Sequence, residues 1–376
     1  MQPLFWVCVA FVAYAYFGYP AALYVVAGLF GTPVRRAAIT PKVSFIIAAR
    51  NEAARIRAKI ENTLALDYPR DRLEILVASD CSDDDTHAIV AEYADRGVRL
   101  VAAPERRGKE FAQSLAIKAS SGEVLVFSDA STWLDPDGVR NIVRNFADPG
   151  VGCVSSVDRV VGADGRPSGE GAYVRYEMFL RSLESRVGSV VGLSGSFFAA
   201  RREVCDPWPA DLPSDFNTLL NTVQKGMRGV SDPAAVGSYR DLDDPQREYS
   251  RKVRTVTRGL RSLGRNLRLL NPLRYGLWAW ELFSHKLCRW LVPYAMAGAL
   301  MCSLALAPGS KWYAALAAIQ ILGYAFAGFV IATGRPVRGA WKIIPFFVLV
   351  NVSILHAWAD ALRGRQAVTW QPSRRM

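Results

Sequence analysis

The chain has 376 residues, enough for one sizeable domain with additional elements. A hydrophobic content of 51%, a mean hydropathy of +0.10 and a net charge of +12 indicate a membrane protein with an anionic partner. Many arginines flank apolar segments, which favours a membrane surface over nucleic acid. Six scattered cysteines without C-x-x-C spacing disfavour a disulfide framework or a structural zinc site, so we expect reduced, inert thiols.

Residues 3–31 are predicted to form an N-terminal transmembrane anchor. The stretch 3–30 carries no charge, and a span of the bilayer core needs about 20 apolar residues. A cleaved signal peptide is disfavoured because the apolar run is too long and no basic residue precedes it. Arg35 and Arg36 follow the span, so the positive-inside rule places the next segment in the cytoplasm.

Residues 41–270 read as one domain of alternating strands and helices. Strands are predicted at 43–49, 73–79, 98–103, 123–131, 152–157 and within 190–201. Helices are predicted at 51–66, 86–96, 109–120, 136–146 and 173–187. The alternation predicts an α/β fold with a doubly wound, mostly parallel sheet. The segment 158–172, rich in Gly, Asp and Pro, is predicted to be a mobile loop.

Polar residues follow each of the first four predicted strands. They are Ala49-Arg50-Asn51-Glu52, Ser79-Asp80, Arg106-Arg107-Gly108-Lys109 and Ser128-Asp129-Ala130-Ser131. Strand ends of a doubly wound sheet meet at one edge, where ligands bind. Carboxylates suit a hard divalent cation, and Lys109 suits a phosphate. The sequence therefore predicts a nucleotide-phosphate site, although Asp129 taken alone reads equally well as a loop residue or a helix N-cap.

The C-terminal third is basic, then aromatic, then apolar. Residues 247–268 repeat Arg and Lys at helical spacing, and both a solvated face and a phosphate- or lipid-facing one remain open. Residues 271–286 are predicted to be an interfacial helix, 287–360 about three transmembrane helices, and 361–376 a basic tail. Three spans would place the C-terminus outside, whereas the arginines of the tail favour the inside, so its side stays open.

Six stretches of the chain together form a recognisable set. They are VSFIIAARNE (43–52), LEILVASDCSDDDT (73–86), RGKEFAQSLAIKASSGEVLVFSDAST (107–132), GLSGSFFAARRE (192–203), SDF (214–216) and FSHKLCRWLVP (283–293). As a set they resemble glycosyltransferase family 2, whose membrane-anchored inverting members have the GT-A fold, and the resemblance covers nearly the whole chain.

The resemblance implies that a donor nucleotide lies against the first four strand ends. Asp80 would read the uracil edge, Lys109 would approach the diphosphate, and Asp129 would be the first aspartate of the D-x-D metal motif. Ser131 stands where a second aspartate is usual, so the affinity for the implied Mg or Mn ion is in doubt. The implied donor-binding residues are Ala49, Asn51, Glu52, Asp80, Lys109, Ser128 and Asp129.

On the acceptor side, the resemblance places Gly195 and Ser196 beneath the acceptor and makes Asp215 the general base. Sugar transfer needs such a base to deprotonate the attacking hydroxyl, and a cation to neutralise the leaving group. An N-cap role is the alternative for Asp215, since apolar residues follow it at helical spacing. Arg251 and Arg254 are further candidates for the diphosphate.

The resemblance, together with the predicted spans, implies an inverting glycosyltransferase integral to a bacterial plasma membrane, with its catalytic domain in the cytoplasm. It would move a sugar from a nucleoside-diphosphate donor, with UDP favoured, to a lipid-linked or saccharide acceptor. A processive polysaccharide synthase is disfavoured because the Q-x-x-R-W signature is absent and the nearest stretch, 246–251, lacks the Trp. A membrane scaffold on a decayed transferase fold has Ser131 as its only support.

Overall fold

The computed structural model describes residues 1–161, 172–240, 245–335 and 337–365. They fall into two compact units. The sheet unit is drawn from 24–242 and 265–279, and the helical unit from 1–23, 243–264 and 280–366. Most of the predicted basic tail lies outside the described residues.

The α-helices are numbered here in chain order. They are α1 (Gln2–Ala13), α2 (Tyr19–Phe30), α3 (Ala53–Leu64), α4 (Thr86–Ala91), α5 (Lys109–Ala119), α6 (Gly138–Val143), α7 (Ala172–Val187), α8 (Ser214–Gln224), α9 (Pro245–Arg265), α10 (Pro272–Leu282), α11 (Arg289–Leu306), α12 (Lys311–Thr333) and α13 (Ile343–Leu362). The helices predicted at 86–96 and 136–146 are each an α-helix followed by a short 3-10 turn, at Ala94–Arg96 and Arg144–Ala147.

Eight strands form one sheet in the part of the chain that the structure describes, in the order β3-β2-β1-β4-β7-β6-β8-β5. The strands are β1 (Val43–Ala49), β2 (Leu73–Ser79), β3 (Val98–Ala102), β4 (Val124–Asp129), β5 (Trp133–Leu134), β6 (Val151–Val161), β7 (Phe197–Arg201) and β8 (Arg228–Arg240). The α/β prediction is confirmed. Four of the seven pairings are parallel, and β7 runs antiparallel to both β4 and β6.

The centre of the sheet is covered on both faces, which explains the continuous apolar runs of β1 and β4. All seven residues of β1 are buried. Phe45 and Ile47 pack in the main core with Ile56 and Ile60 of α3. Each such side chain contributes about 1.5–3 kcal/mol when fully buried. This packing holds the ends of β1 and β4 in place.

Two strand predictions need correction. β6 continues to Val161, so residues 158–161 are strand rather than loop, while 162–171 lie outside the described residues. β8 was not predicted, because Asp232 and Pro233 interrupt its apolar pattern. Burial raises the pKa of Asp232, but hydrogen bonds from Arg144 and Asn145 outweigh that effect and lower the pKa below its usual value.

Four helical stretches have the length and composition to cross a membrane. They are Gln2–Phe30, Pro272–Gly309, Lys311–Thr333 and Gly339–Leu362. Their positions agree with the predicted anchor and the three predicted C-terminal spans. The segment predicted to be a separate interfacial helix, 271–286, instead forms the first part of the second stretch, which has a break in helical geometry at Gly276 (φ 55°, ψ −136°).

The predicted basic stretch forms most of α9, which packs one face within the helical unit. Val253 and Leu260 are buried, and Thr257 donates a hydrogen bond to the carbonyl of Ala357 (3.4 Å). Gly259 lies against the Trp290 ring, where a Cβ atom would approach to 3.0 Å. The apolar face of α9 is therefore packed, and the two alternatives for its basic residues, a solvated face and a phosphate- or lipid-facing one, both stay predictions.

Candidate active site

The predicted site residues at the ends of β1, β2 and β4 lie at one edge of the sheet. The strands are in register, with Ala48 opposite Asp129 and Ala49 opposite Ser79. The amide of Asp80 donates to the carbonyl of Ala49 (3.0 Å). The prediction that parallel strand ends bring these residues together therefore holds for these three strands.

The loops after β1 and β2 are clamped to each other. Asn51 has a positive φ of 51°, a conformation that Asn tolerates better than most residues. Its side chain donates to Asp83 Oδ1 (2.5 Å) and accepts from the Asp83 amide (3.1 Å). Arg50 is buried and donates to the Asp80 carbonyl and to Asp83 Oδ2, each at 3.1 Å. Asn51 thus fixes the loop geometry around the site.

Asp80 is buried with one carboxylate oxygen engaged. Its Oδ1 accepts hydrogen bonds from the amides of Arg107 (3.0 Å) and Gly108 (2.9 Å). Gly108 adopts φ 101°, which favours glycine at this position. Within the described residues Oδ2 has no hydrogen-bond partner, although the side chain is only 1% exposed. An unmet buried acceptor costs about 1–3 kcal/mol, so this oxygen suits an N–H donor from a ligand.

Lys109 joins the end of β4 to the segment before β7. It is the first residue of α5, and its Nζ donates to Asp129 Oδ1 (2.5 Å) and to the Gly195 carbonyl (3.0 Å). The Asp129 amide in turn donates to the Ser196 carbonyl (3.0 Å). The predicted phosphate-binding lysine, the predicted metal ligand and the predicted acceptor residues are therefore contiguous.

Asp215 lies against Gly195, the residue whose carbonyl accepts a hydrogen bond from Lys109. It lies in the first turn of α8, whose N-cap residue is Pro213, so the alternative that Asp215 is the N-cap is wrong. A Cβ atom placed on Gly195 would meet Asp215 Oδ2 at 3.1 Å. Glycine at this position therefore leaves room for the Asp215 carboxylate beside the segment 194–196, which we call the serine strip.

A buried lysine beneath the site was missed by sequence reasoning. Lys59 is 2% exposed, and its Nζ donates to Ser128 Oγ (2.8 Å) and to the Thr132 carbonyl (2.6 Å). Burial lowers its pKa to about 7, and Asp129 partly opposes that shift. The signal was available, because Lys59 falls three residues after Ile56 on the buried stripe of α3. Lys59 therefore supports the turn that carries Asp129.

The pKa of the Glu52 side chain depends on the charges of Arg55 and Asp129. This side chain is buried and pairs with Arg55 at 3.2 Å. Its pKa is raised to about 7: burial is the largest cause, Arg55 opposes the rise, and Asp129 adds to it. The amide of Glu52 donates to Thr86 Oγ1 (2.9 Å), which fixes the start of α3. Glu52 and Lys59 thus both change charge near neutral pH.

A family model described as Glycosyl transferase family 2 matches residues 44–207, the segment that carries most of this geometry. Over residues 44–207 the chain is similar to glycosyltransferase family 2. Residues 44–207 include every strand end discussed above, whereas Asp215 and α9 lie beyond the match. The family prediction made from the sequence is therefore confirmed.

Curated relatives match part of the chain. The succinoglycan biosynthesis protein ExoO of Rhizobium meliloti is 37% identical over 127 residues, covering 34% of this chain and 36% of ExoO. The beta-monoglucosyldiacylglycerol synthase of Trichormus variabilis is 27% identical over 184 residues, covering 46% of this chain and 39% of the synthase. The matches thus span less than two-fifths of either relative's length.

One solved structure matches nearly the whole chain. It is the mannosyltransferase PcManGT from Pyrobaculum calidifontis in complex with GDP-Man and Mn2+. The TM-score is 0.74 at 25% identity, and the match covers 96% of this chain and all of that one. The GT-A fold prediction is confirmed.

The oxygen donors at this edge of the sheet fit a divalent cation that is shared with a phosphate. Asp129 supplies one carboxylate, and the Ser131 hydroxyl follows two residues later. No group of three His, Cys, Asp or Glu side chains that could hold a metal occurs among the described residues. Mg²⁺ commonly uses one or two carboxylates together with substrate phosphates. The donor set therefore suits an ion held jointly with a diphosphate rather than by protein alone.

Two predicted site residues, Arg251 and Arg254, belong to α9 in the helical unit. Their predicted contact with the diphosphate stays a prediction. The roles that the resemblance implies for the other site residues also stay predictions. Ala49, Ser128 and Ser196 lie at the edge just described.

Proposed function

We propose that this chain is a membrane-anchored, inverting glycosyltransferase that uses a nucleoside-diphosphate sugar and a divalent cation. The observation that carries the proposal is the convergence of Lys109, Asp129 and Asp215 around Gly195, next to the strand end that holds Asp80. Glycosyl transfer from such a donor needs a cation-binding carboxylate, a phosphate-binding cation and a base, and these three residue types stand together here.

In the proposed reaction, Asp215 takes the proton of an acceptor hydroxyl. The acceptor oxygen then forms a bond to the anomeric carbon while the bond from that carbon to the diphosphate breaks, and in-line attack inverts the configuration. Asp129 and Ser131 would hold the cation, which supplies positive charge to the leaving diphosphate when bound. Lys109 adds a second positive charge at the same place.

Two donor nucleotides are supported by different observations. Asp80 has one open carboxylate oxygen, which matches the single N–H on the edge of uracil and favours UDP. PcManGT, whose match covers 96% of this chain, was solved with GDP-Man, which favours a guanosine donor. We retain UDP as the proposal, with a GDP-sugar as the second candidate.

We propose a lipid-linked or saccharide acceptor at the membrane. The relatives are named for succinoglycan biosynthesis and for monoglucosyldiacylglycerol synthesis, and four helices have the composition to cross a bilayer. Arg335, Arg338 and Lys342, between α12 and α13, agree with a cytoplasmic catalytic unit. The basic face of α9 would lie on anionic lipid, where each Arg near the surface contributes about 1 kcal/mol.

A donor panel tests this proposal. Purified full-length protein in detergent, with membranes of the producing cells as the acceptor source, would be given UDP- and GDP-linked sugars with Mn²⁺, with Mg²⁺ or with EDTA. We expect cation-dependent release of one nucleoside diphosphate together with a glycosylated product. Absence of hydrolysis and transfer with every donor would support the scaffold alternative. Long products made in single binding events would support the processive one.

A further inference from the structure

The edge that carries the candidate site also receives the end of β6. β7 is antiparallel to both β4 and β6, so β4 and β6 point in the same direction. The reasoning that places Asp129 at this edge therefore applies equally to the polar end of β6. Asp158 is the carboxylate at that end, in the stretch that the sequence presented as a loop.

Asp158 is held by both hydroxyl groups of the serine strip. Ser194 Oγ and Ser196 Oγ each donate to Asp158 Oδ1 at 2.6 Å. The strip itself is anchored to β6, because the Ser194 amide donates to Ser155 Oγ (2.8 Å). Asp158 is partly exposed, and in the part of the chain that the structure describes its hydrogen bonds reach Oδ1 only. Its Oδ2 is therefore presented as an acceptor in a fixed position.

Through this strip Asp158 is connected to both residues proposed for the reaction. Ser196 accepts from the Asp129 amide, and Gly195 lies against Asp215. Neighbouring strands are about 4.8 Å apart. In the sheet β7 lies between β4 and β6, so β6 is on the order of 10 Å from β4. β6 lies on the opposite side of β4 from β1 and β2. Asp158 therefore stands on the opposite side of Asp129 from Asn51 and Asp80, the predicted donor-binding residues that follow β1 and β2.

We propose that Asp158 is an acceptor-binding residue that accepts a hydrogen bond from an acceptor hydroxyl adjacent to the one that reacts. The proposal rests on the proposed glycosyltransferase function and narrows it, because an acceptor with a second hydroxyl is a saccharide or another polyol rather than a simple lipid alcohol. An ionised carboxylate only accepts hydrogen bonds, which suits hydroxyl groups and repels phosphate. Asp215 deprotonates the reacting hydroxyl, and Asp158 orients its neighbour.

Asp158→Asn in the full chain tests this assignment, with Asp71→Asn as the matched control because the Asp71 side chain is 81% exposed. The acceptor probes are octyl β-glucoside, which carries a saccharide head, and dodecanol, which carries one hydroxyl. If the wild type glycosylates neither probe, the lipid extract of the producing membranes serves as the acceptor instead. We expect the Asp158 variant to raise the apparent KM for the saccharide or lipid-extract acceptor about 10- to 100-fold, as loss of a charge-assisted hydrogen bond implies. That rise should exceed any change in donor hydrolysis by water and in transfer to dodecanol, whereas Asp71→Asn should change none of these three quantities.

A second variant tests the position of the Asp158 carboxylate while keeping its charge. Ser194→Ala combined with Ser196→Ala keeps the carboxylate but removes the groups that hold it, so we expect a smaller rise in the same acceptor KM.

An unchanged acceptor KM in Asp158→Asn would overturn the assignment. So would a rise in donor KM with slower hydrolysis, which would place Asp158 on the donor sugar. Loss of all transfer in Asp158→Asn with retention in Asp215→Asn would make Asp158 the base instead. If the wild type neither hydrolyses nor transfers, the proposed function fails first.

Discussion

Lys59→Met removes a buried titratable group beneath the site. The wild type should therefore differ from this variant in how its stability depends on pH, and the pKa of Lys59 gives the direction of the difference. Burial lowers the pKa of Lys59 from 10.5 to about 7. Between these values the unfolded chain binds a proton that the folded chain does not, so the stability of the wild type rises with pH. The contribution of Lys59 to stability is complete above the unfolded pKa and is lost as pH falls through 7. The slope is about 1.4 kcal/mol per pH unit.

The methionine variant has no such titration, so the comparison isolates Lys59. From pH 7 to pH 9 the wild type should gain about 2–3 kcal/mol relative to Lys59→Met. For a unit of this size that corresponds to a relative rise in Tm of about 4–12 °C. Thermal unfolding of the full chain in one detergent, followed at four pH values, measures it, with the exposed Lys118→Met as the control. A Tm difference that stays constant from pH 6.5 to 9 would refute the reasoning and show that Lys59 stays charged.

Three further predictions concern the site and the membrane face. Ser131→Asp restores a second carboxylate, so Mn²⁺ binding in the presence of a nucleoside diphosphate should tighten about 10-fold, or about 1.4 kcal/mol; an unchanged Mn²⁺ titration would remove Ser131 from the metal site. Asp80→Asn keeps an acceptor for the Arg107 and Gly108 amides but offers an NH₂ group in place of Oδ2. Donor KM should rise about 10-fold or more with kcat nearly unchanged, and a fall in kcat alone would contradict the base-reading role. Arg258→Glu with Arg261→Glu should abolish any stimulation of turnover by phosphatidylglycerol in nanodiscs; full retained stimulation would show that α9 does not face anionic lipid.

The local sequence pattern was sufficient to predict a strand where burial on both faces of the sheet determines that strand. The apolar run before Asp129 predicted β4 because a strand covered on both faces needs no alternation. Strand–helix alternation then predicted which polar ends share one edge, and Asp80 and Asp129 lie there. The same rule extends to a fifth strand, because β6 also ends at this edge and brings Asp158 to it.

The remaining features depend on partners distant in sequence. The role of Lys59 depends on its acceptors, Ser128 and Thr132, which lie about 70 residues away in the sequence. β8 was missed because Asp232 is tolerated in a strand only when Arg144 and Asn145 supply its hydrogen bonds. Such compensation is a tertiary property that no local sequence window contains.

The central claim is that Asp215 deprotonates the acceptor while Asp129 serves the cation and the leaving diphosphate. The most direct measurement is the turnover of a nucleotide sugar with Mn²⁺ by the wild type, Asp215→Asn and Asp129→Ala, each purified as the full chain with unchanged unfolding temperature. The account predicts a loss of about 100-fold or more in kcat for Asp215→Asn, and for Asp129→Ala a loss that excess Mn²⁺ does not restore. Full turnover by both variants would contradict it.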